Sequence, residues 1–293
     1  MVLKPTNQKS AKQEMASARG LRLYLETKNQ ANRFLLPKPI ALVEFSDPKE
    51  RFDSVYAMER AKAVGLDRLI INKDLAGYGA AKEVREAVEF LAVFHEWKKI
   101  RVGSEQSLRS AAAELNRNLE RLQVVKSTYK IVDLWVALLP ENLPVSGKKD
   151  AHPENWLVDR NSRIIMIDME ASAQEIVFRD LSQLMDDYPV FRSDDSGWAE
   201  RLDVVSQYVK AIGQNHLSEV DQERAYTAFA IQRIVFGISF TQHKLKTAAS
   251  LGGLKRLVER RAHYFELARY LADHSRFAPS RQICSFLVPL ADM

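Results

Sequence analysis

The sequence predicts an α+β protein in which a few strands near the amino terminus and one central hairpin are set into a mostly helical chain. Three observations predict it. Short apolar runs occur at 40–45 and 55–59, bounded by prolines and by the polar stretch Asp47-Pro48-Lys49-Glu50-Arg51. Two further runs, 156–158 and 164–167, flank Asp159-Arg160-Asn161-Ser162, and polar turn residues between short apolar runs signal a hairpin. Elsewhere, from about residue 60 on, apolar residues recur every three or four positions, the helical period.

Composition narrows the class. With 293 residues, 46% hydrophobic and 28% charged, the chain is an ordinary folded one, long enough for two lobes. The 43 Lys and Arg exceed the 38 Asp and Glu by only five, with no long basic block, so neither nucleic acid nor a membrane surface is the expected partner. One cysteine, Cys284, excludes an intramolecular disulfide and fits a reducing compartment. No apolar run approaches a membrane span and the amino terminus lacks a signal-peptide core, so the expected location is cytoplasmic.

In order, Val2–Pro5 is the tail of a strand, and Ala11, Met15, Ala18, Leu21 and Leu25 mark a helix over 10–26. Beyond residue 60, Val84, Val88, Leu91 and Phe94 share a helix face. Ser104 caps a helix carrying Leu108, Leu115, Leu119 and Leu122, and Ile131, Leu134, Trp135 and Leu138 form another before Pro140 and Pro144. In the last third, Ser218 and Asp221 resemble a capping box, Tyr226, Phe229 and Ile234 form one buried face, and Leu257, Tyr264, Ala268 and Leu271 form another. Arg256, Arg260, Arg261 and Arg269 read as a solvated face.

The chemistry gathers around the hairpin. The loop before it and the end of its second strand lie at one edge, which lets Asp150, Asn155 and Asp168 converge. Mg²⁺ takes hard oxygen ligands and keeps waters and substrate phosphates, so Asn155 and Asp168 suffice as protein ligands and Asp150 is left to orient an acceptor hydroxyl. Asp186, Asp187, Asp194 and Asp195 beside Trp198 have two readings, a solvated acidic loop or a site for an amine-bearing acceptor.

The stretch 148–170 resembles the catalytic and metal-binding loops of the aminoglycoside phosphotransferase and choline kinase family, written H-G-D-x-H-P-x-N and I-D-[FW]-E. Asp150, His152, Pro153, Asn155, Ile167, Asp168 and Glu170 match, and Lys148 stands where the family has its first His, mainly a scaffold for the loop. Phe90–His95 resembles the family's L-A-x-L-H run, with His95 packed or capped, and Arg179–Leu184 resembles D-L-A-x-L, with Asp180 structural. The resemblance implies a protein-kinase-like two-lobe fold with a small lobe of residues 1–60 and a large, mostly helical lobe of 61–293. It also implies transfer of the ATP γ-phosphoryl group, with Mg²⁺, to a hydroxyl of a small-molecule acceptor.

By the same resemblance Lys4 contacts the α- and β-phosphates, Glu14 on the next helix holds it, and the backbone near Glu59 and Arg60 binds the adenine edge. An ammonium on a flexible stem serves phosphate well once a carboxylate fixes it. The family carries a phosphate-covering turn ahead of that lysine, whereas Gly20 is the one glycine among the first sixty residues, so the small lobe reads as incomplete and ATP binding as weak. Two alternatives stay open at this point: a pseudokinase that binds nucleotide or a partner without turnover, and an atypical protein kinase.

Overall fold

The computed structural model describes residues 1–44, 54–72, 80–123, 128–147, 150–169, 174–246 and 251–292. The expected turn at Asp47-Pro48, Lys148 and Glu170 lie outside the described residues.

The amino-terminal part is a three-stranded antiparallel sheet with one helix against it. β1 (Val2–Thr6) is followed by α1 (Gln8–Thr27), β2 (Phe34–Leu35), β3 (Pro39–Glu44) and β4 (Ser54–Met58), and the sheet order is β1-β4-β3. Asn7 caps α1 by accepting the Ser10 N–H at 2.8 Å, which satisfies one of the unpaired amides of the first turn. Ala11, Ala18, Leu21 and Leu25 are buried at helical spacing. Glu14 lies buried in the same stripe, so its charge needs a partner. The register sets Lys4 opposite Tyr56, which is core, whereas Met58 is half-buried.

β2 leaves this sheet and pairs in parallel with a strand of the central hairpin. β5 (Ala63–Gly65) follows β4, and then come α2 (Leu66–Asn72), α3 (Ala81–Trp97), β6 (Arg101–Val102), α4 (Glu105–Arg121) and α5 (Thr128–Val136). β7 (Pro144–Gly147) precedes the hairpin of β8 (Trp156–Asp159) and β9 (Ile164–Met166), and β10 (Gln174–Ile176) follows it. The second sheet runs β2-β9-β8-β5 and the third β10-β7-β6. Pro144, read from sequence as a helix stop, opens β7, the central strand of the third sheet. Strands of two to four residues carry no legible alternation, which is why β2, β5, β6, β7 and β10 were not expected.

The remaining helices are α6 (Val177–Asp186), α7 (Asp195–Ala211), α8 (Glu219–Leu245), α9 (Leu251–His274) and α10 (Ala278–Leu287). Ser104 and Ser218 cap α4 and α8 as expected, the latter through the Asp221 N–H. α8 is buried on every side from Ala225 to Val235, the pattern of a central helix. Gly237 lets α9 approach it, because a Cβ there would stand 2.1 Å from the Tyr264 ring. Phe34 stacks on Phe90 with centroids 4.6 Å apart, and Phe90 meets Trp156 edge-on at 5.9 Å, which ties β2 and α3 to the hairpin. Among the described residues no helix is long and apolar enough to cross a membrane.

Two expectations about charge are corrected here. Asp186 and Asp187 belong neither to a solvated loop nor to an amine site, since both are fully buried. Asp186 accepts from Arg201 Nε at 2.9 Å and Tyr226 Oη at 2.8 Å, and Arg201 is itself fully buried. Asp187 pairs with Arg233, with Arg260 Nη2 at 2.6 Å and with Tyr264 Oη at 2.8 Å. Arg260, expected in solvent, therefore lies largely inside, because a buried carboxylate demands a buried cation. Only Asp194 and Asp195 keep an exposed setting: Asp194 caps α7 through the Gly197 N–H, and Asp195 accepts from Tyr270.

This cluster predicts a pH dependence. Burial, with the Arg201 charge beside it, holds His263 down to about 3 from its ordinary 6.5, while its Nε2 meets the Asp186 carbonyl at 3.2 Å. The folded state therefore keeps the imidazole neutral where the unfolded chain would protonate it. Its contribution is fully present above pH 6.5 and is lost as pH falls toward 3, at about 1.4 kcal/mol per pH unit. Urea unfolding at pH 7 and 5 should show a loss of about 2 kcal/mol that His263→Gln removes, and equal pH dependence in the two proteins would assign the effect to other groups. Asp187, held down to about 2 despite burial by Arg233 and Arg260, adds a separate loss below pH 4.

Candidate active site

The hairpin builds one edge of the site. Asp159 closes the turn with its side chain, Oδ1 accepting from the Asn161 and Arg163 amides at 2.8 and 2.9 Å, so the polar run folds back on itself as an Asx turn. Beyond β9 the Ile167 N–H donates to the Asn155 carbonyl at 3.1 Å, which holds the exit of the second strand against the loop that enters the first. Asp168 follows directly. Asp150 and Asp168 both have φ of +58°, a left-handed conformation that costs an ordinary side chain energy and persists where the surroundings over-determine it.

The loop is fixed from within. The Asn155 side chain is buried, and its Nδ2 donates to the Asp150 carbonyl at 2.8 Å. Trp156 Nε1 donates to the Ala151 carbonyl at 3.0 Å, and the Ala151 N–H donates to Gln183 Oε1 at 3.0 Å. Gln183 Nε2 donates to Asp150 Oδ1 at 2.6 Å, and His152 Nε2 stands 3.8 Å from Asp150 Oδ2.

On the opposite side the structure brings together residues 10 and 164 positions apart. Lys4 Nζ lies 3.0 Å from Glu14 Oε2 and 2.9 Å from Asp168 Oδ1. Glu14 is buried, whereas about 39% of the Asp168 side chain is exposed. Burial by itself would lower the Lys4 ammonium. The hydrogen bond to Asp168 and the charges of Glu14 and Asp168 outweigh that and raise it, so Lys4 is a fixed cation at every accessible pH. Among the described residues no group of three His, Cys, Asp or Glu side chains is placed to enclose a metal.

Two clefts meet at Ala63, and Lys4, Glu14, Asp150, Asn155 and Asp168 line neither of them. One, of about 500 Å³, lies between Met1 and Ile40 on the sheet side and Glu59–Ala63 on the other. The Glu59 N–H is committed to the Lys38 carbonyl at 2.9 Å, so Glu59 can offer a ligand edge only its carbonyl. The other cleft, of about 650 Å³, is walled by Asp67, Glu154, Tyr188, Phe240, Arg256 and Arg260. There Tyr188 Oη donates to Glu154 Oε1 at 2.8 Å, and Arg260 stacks over the Tyr188 ring at 4.8 Å.

Sequence reasoning missed Gln183 and Tyr188. One signal was available for Gln183. It lies three residues after Asp180 and three before Asp186, a polar stripe at helical spacing on a helix whose other positions, Arg179 and Ser182 aside, are apolar. His95 occupies the packed position expected, buried against Tyr208 Oη at 2.5 Å and Asp180 Oδ2 at 3.2 Å.

No protein-family model matches the chain, and no curated protein matches it by sequence. Solved structures do match in fold. A choline/ethanolamine kinase family protein from Mesorhizobium loti aligns over 97% of this chain and 86% of its own, with a TM-score of 0.52 at 14% identity. Amicoumacin kinase in complex with AMP-PNP, Ca²⁺ and Ami aligns over 89% and 80%, with 0.52 at 14%. The microcompartment-associated aminopropanol kinase aligns over 92% and 84%, with 0.50 at 14%. The chain therefore has the protein-kinase-like α+β fold of these proteins.

Proposed function

We propose that the chain transfers the γ-phosphoryl group of ATP to a hydroxyl of a small-molecule acceptor. One observation carries this: Lys4 bridges Glu14 and Asp168 beside a loop in which Asn155 clamps Asp150. Phosphoryl transfer passes through a loose transition state, so positioning and charge neutralisation supply most of the catalysis. Lys4, steadied by Glu14, offers the phosphates a fixed positive charge. Asp150 orients the acceptor hydroxyl and takes its proton. The backbone of Glu59 and Arg60, through the Glu59 carbonyl, faces the adenine edge in the 500 Å³ cleft. Residues 1–60 act as the nucleotide lobe and 61–293 as the acceptor lobe.

The donor set suits Mg²⁺. Asn155 Nδ2 is taken by the Asp150 carbonyl, which leaves its Oδ1, a hard oxygen, for a ligand. Asp168 holds Lys4 through Oδ1 and, as a carboxylate, is a hard-oxygen ligand. Two such ligands suit an ion that completes its shell with waters and phosphates, and the bound ion would neutralise the phosphate oxygens. The complex of one structural neighbour, amicoumacin kinase, with AMP-PNP and Ca²⁺ supports nucleotide and divalent-cation use.

The acceptor is proposed to enter the 650 Å³ cleft. With Asp186 and Asp187 buried, the carboxylates there are Asp67 and Glu154, set among the cations Arg68, Lys244, Arg256 and Arg260, so an amino alcohol is supported by the aminopropanol kinase neighbour and not by the charge of the cleft. Transfer from Mg-ATP to a panel of amino alcohols, sugars, aminoglycosides and generic proteins tests the proposal. Phosphorylation of none of them overturns it.

The metal assignment has its own test. Asp168→Ala should weaken Mg-ATP binding by more than the roughly 10–100-fold that loss of a merely supporting group costs a metal site, and should change metal-free ATP binding far less. Calorimetry with Mg²⁺ and with EDTA measures both. Equal losses in the two conditions would make Asp168 a structural partner of Lys4.

A further inference from the structure

We infer that Gln183 is a positioning residue for the transfer, holding one oxygen of Asp150 so that the other faces the acceptor; this rests on the phosphotransfer reading above. The hydrogen bonds fix which way its amide points. The Ala151 N–H can only donate, so at 3.0 Å it must meet Gln183 Oε1, and the NH₂ is then turned toward the carboxylate. Gln183 Nε2 reaches Asp150 Oδ1 at 2.6 Å, and Gln183 is buried.

One side chain thus grips the backbone after Asp150 and the Asp150 carboxylate together. Within the loop, Asn155 holds the Asp150 carbonyl and Trp156 the Ala151 carbonyl, and His152 Nε2 stands 3.8 Å from Asp150 Oδ2. With Oδ1 committed, Oδ2 is the oxygen presented outward, from a side chain about half exposed. A neutral amide orients the carboxylate without pairing away its charge, as an arginine would.

Gln183 is itself fixed by its helix. The polar face of α6 is buried along its length, and each member is tied to a different element. Arg179 forks onto Glu114 of α4 at 3.1 and 3.0 Å, and Asp180 meets His95 of α3. Asp186 meets Arg201 of α7 and Tyr226 of α8, and Asp187, just past the helix, meets Arg260 and Tyr264 of α9. Five helices therefore set the rotation of α6, and Gln183 projects from the middle of that face into the loop.

Two variants of similar size test this. Gln183→Glu keeps an oxygen for the Ala151 N–H and replaces the donor to Asp150 with a second carboxylate. Gln183→Met removes both bonds. Hydrogen exchange of the Ala151 amide should stay slow in Gln183→Glu and quicken in Gln183→Met. In both, kcat should fall roughly tenfold to hundredfold, the scale of misplacing a reacting group by about an ångström, while KM for ATP and Mg-nucleotide affinity stay unchanged. Wild-type kcat in Gln183→Glu overturns the inference, and so does a fall in nucleotide affinity that parallels kcat, which would mark a packing defect. A wild-type protein that phosphorylates no acceptor overturns the functional reading and this inference together. Transfer by the wild type with unimpaired variants overturns the inference alone.

Discussion

Asp150→Asn should lower phosphoryl transfer by about 10²–10⁴-fold and leave Mg-nucleotide affinity unchanged, the loss expected when a general base is removed. The substitution isolates the chemistry. Asn is among the side chains that best tolerate the left-handed backbone found at position 150, so the loop need not relax. Its amide oxygen can still accept from Gln183 Nε2, as Asp150 Oδ1 does at 2.6 Å. What disappears is the second carboxylate oxygen's capacity to take a proton. In the proposed reaction the phosphates answer to Lys4, which is paired with Glu14 and Asp168. Steady-state transfer and nucleotide titration on the same preparation decide the matter. Wild-type turnover would remove Asp150 from the reaction, and lost nucleotide affinity would make it a member of the metal site.

Asp187→Ala should cost about 3–5 kcal/mol of stability, because it strands the guanidinium groups of Arg233 and Arg260 in the interior. Against a total of roughly 5–15 kcal/mol for a folded domain, that is a large share. At about 2–4 °C per kcal/mol, the fall in Tm should be of the order of 10 °C. Asp194→Ala is the control, since the loss of an exposed helix cap should lower Tm far less. Thermal unfolding of the two variants beside the wild type measures both. Equal Tm values would mean that Arg233 and Arg260 find other partners. The effect should also reach the 650 Å³ cleft, because Arg260 stacks on Tyr188, which holds Glu154.

The α1 stripe, the 156–166 hairpin with its polar turn and the serine caps of α4 and α8 were legible in the sequence, because each is specified within a few residues. A helical period, a turn between apolar runs and a cap three residues from its amide are local relations. The loop spacing was legible for the same reason: Asn155 reaches back five residues to the Asp150 carbonyl. That Lys4 stands between Glu14 and Asp168 is a different kind of fact, since 164 residues separate Lys4 from Asp168 and only the packed chain sets that distance.

By itself the sequence determined the periodic elements, their caps and the order of polar residues along the loop. The tertiary structure alone decided which charges are inside. Asp186 and Asp187 followed by two more acids look the same in sequence whether they face water or a guanidinium. Their partners Arg201, Arg233 and Arg260 come from three later helices, at separations that carry no periodic signal. The same holds for Phe34–Leu35, whose two residues become a strand only because β9 lies beside them, and for Gln183, which acquires its place against Asp150 from the rotation of α6. A short strand or a buried charge is stabilised by what it meets and not by its neighbours in the chain, so such features become readable only after the chain has packed.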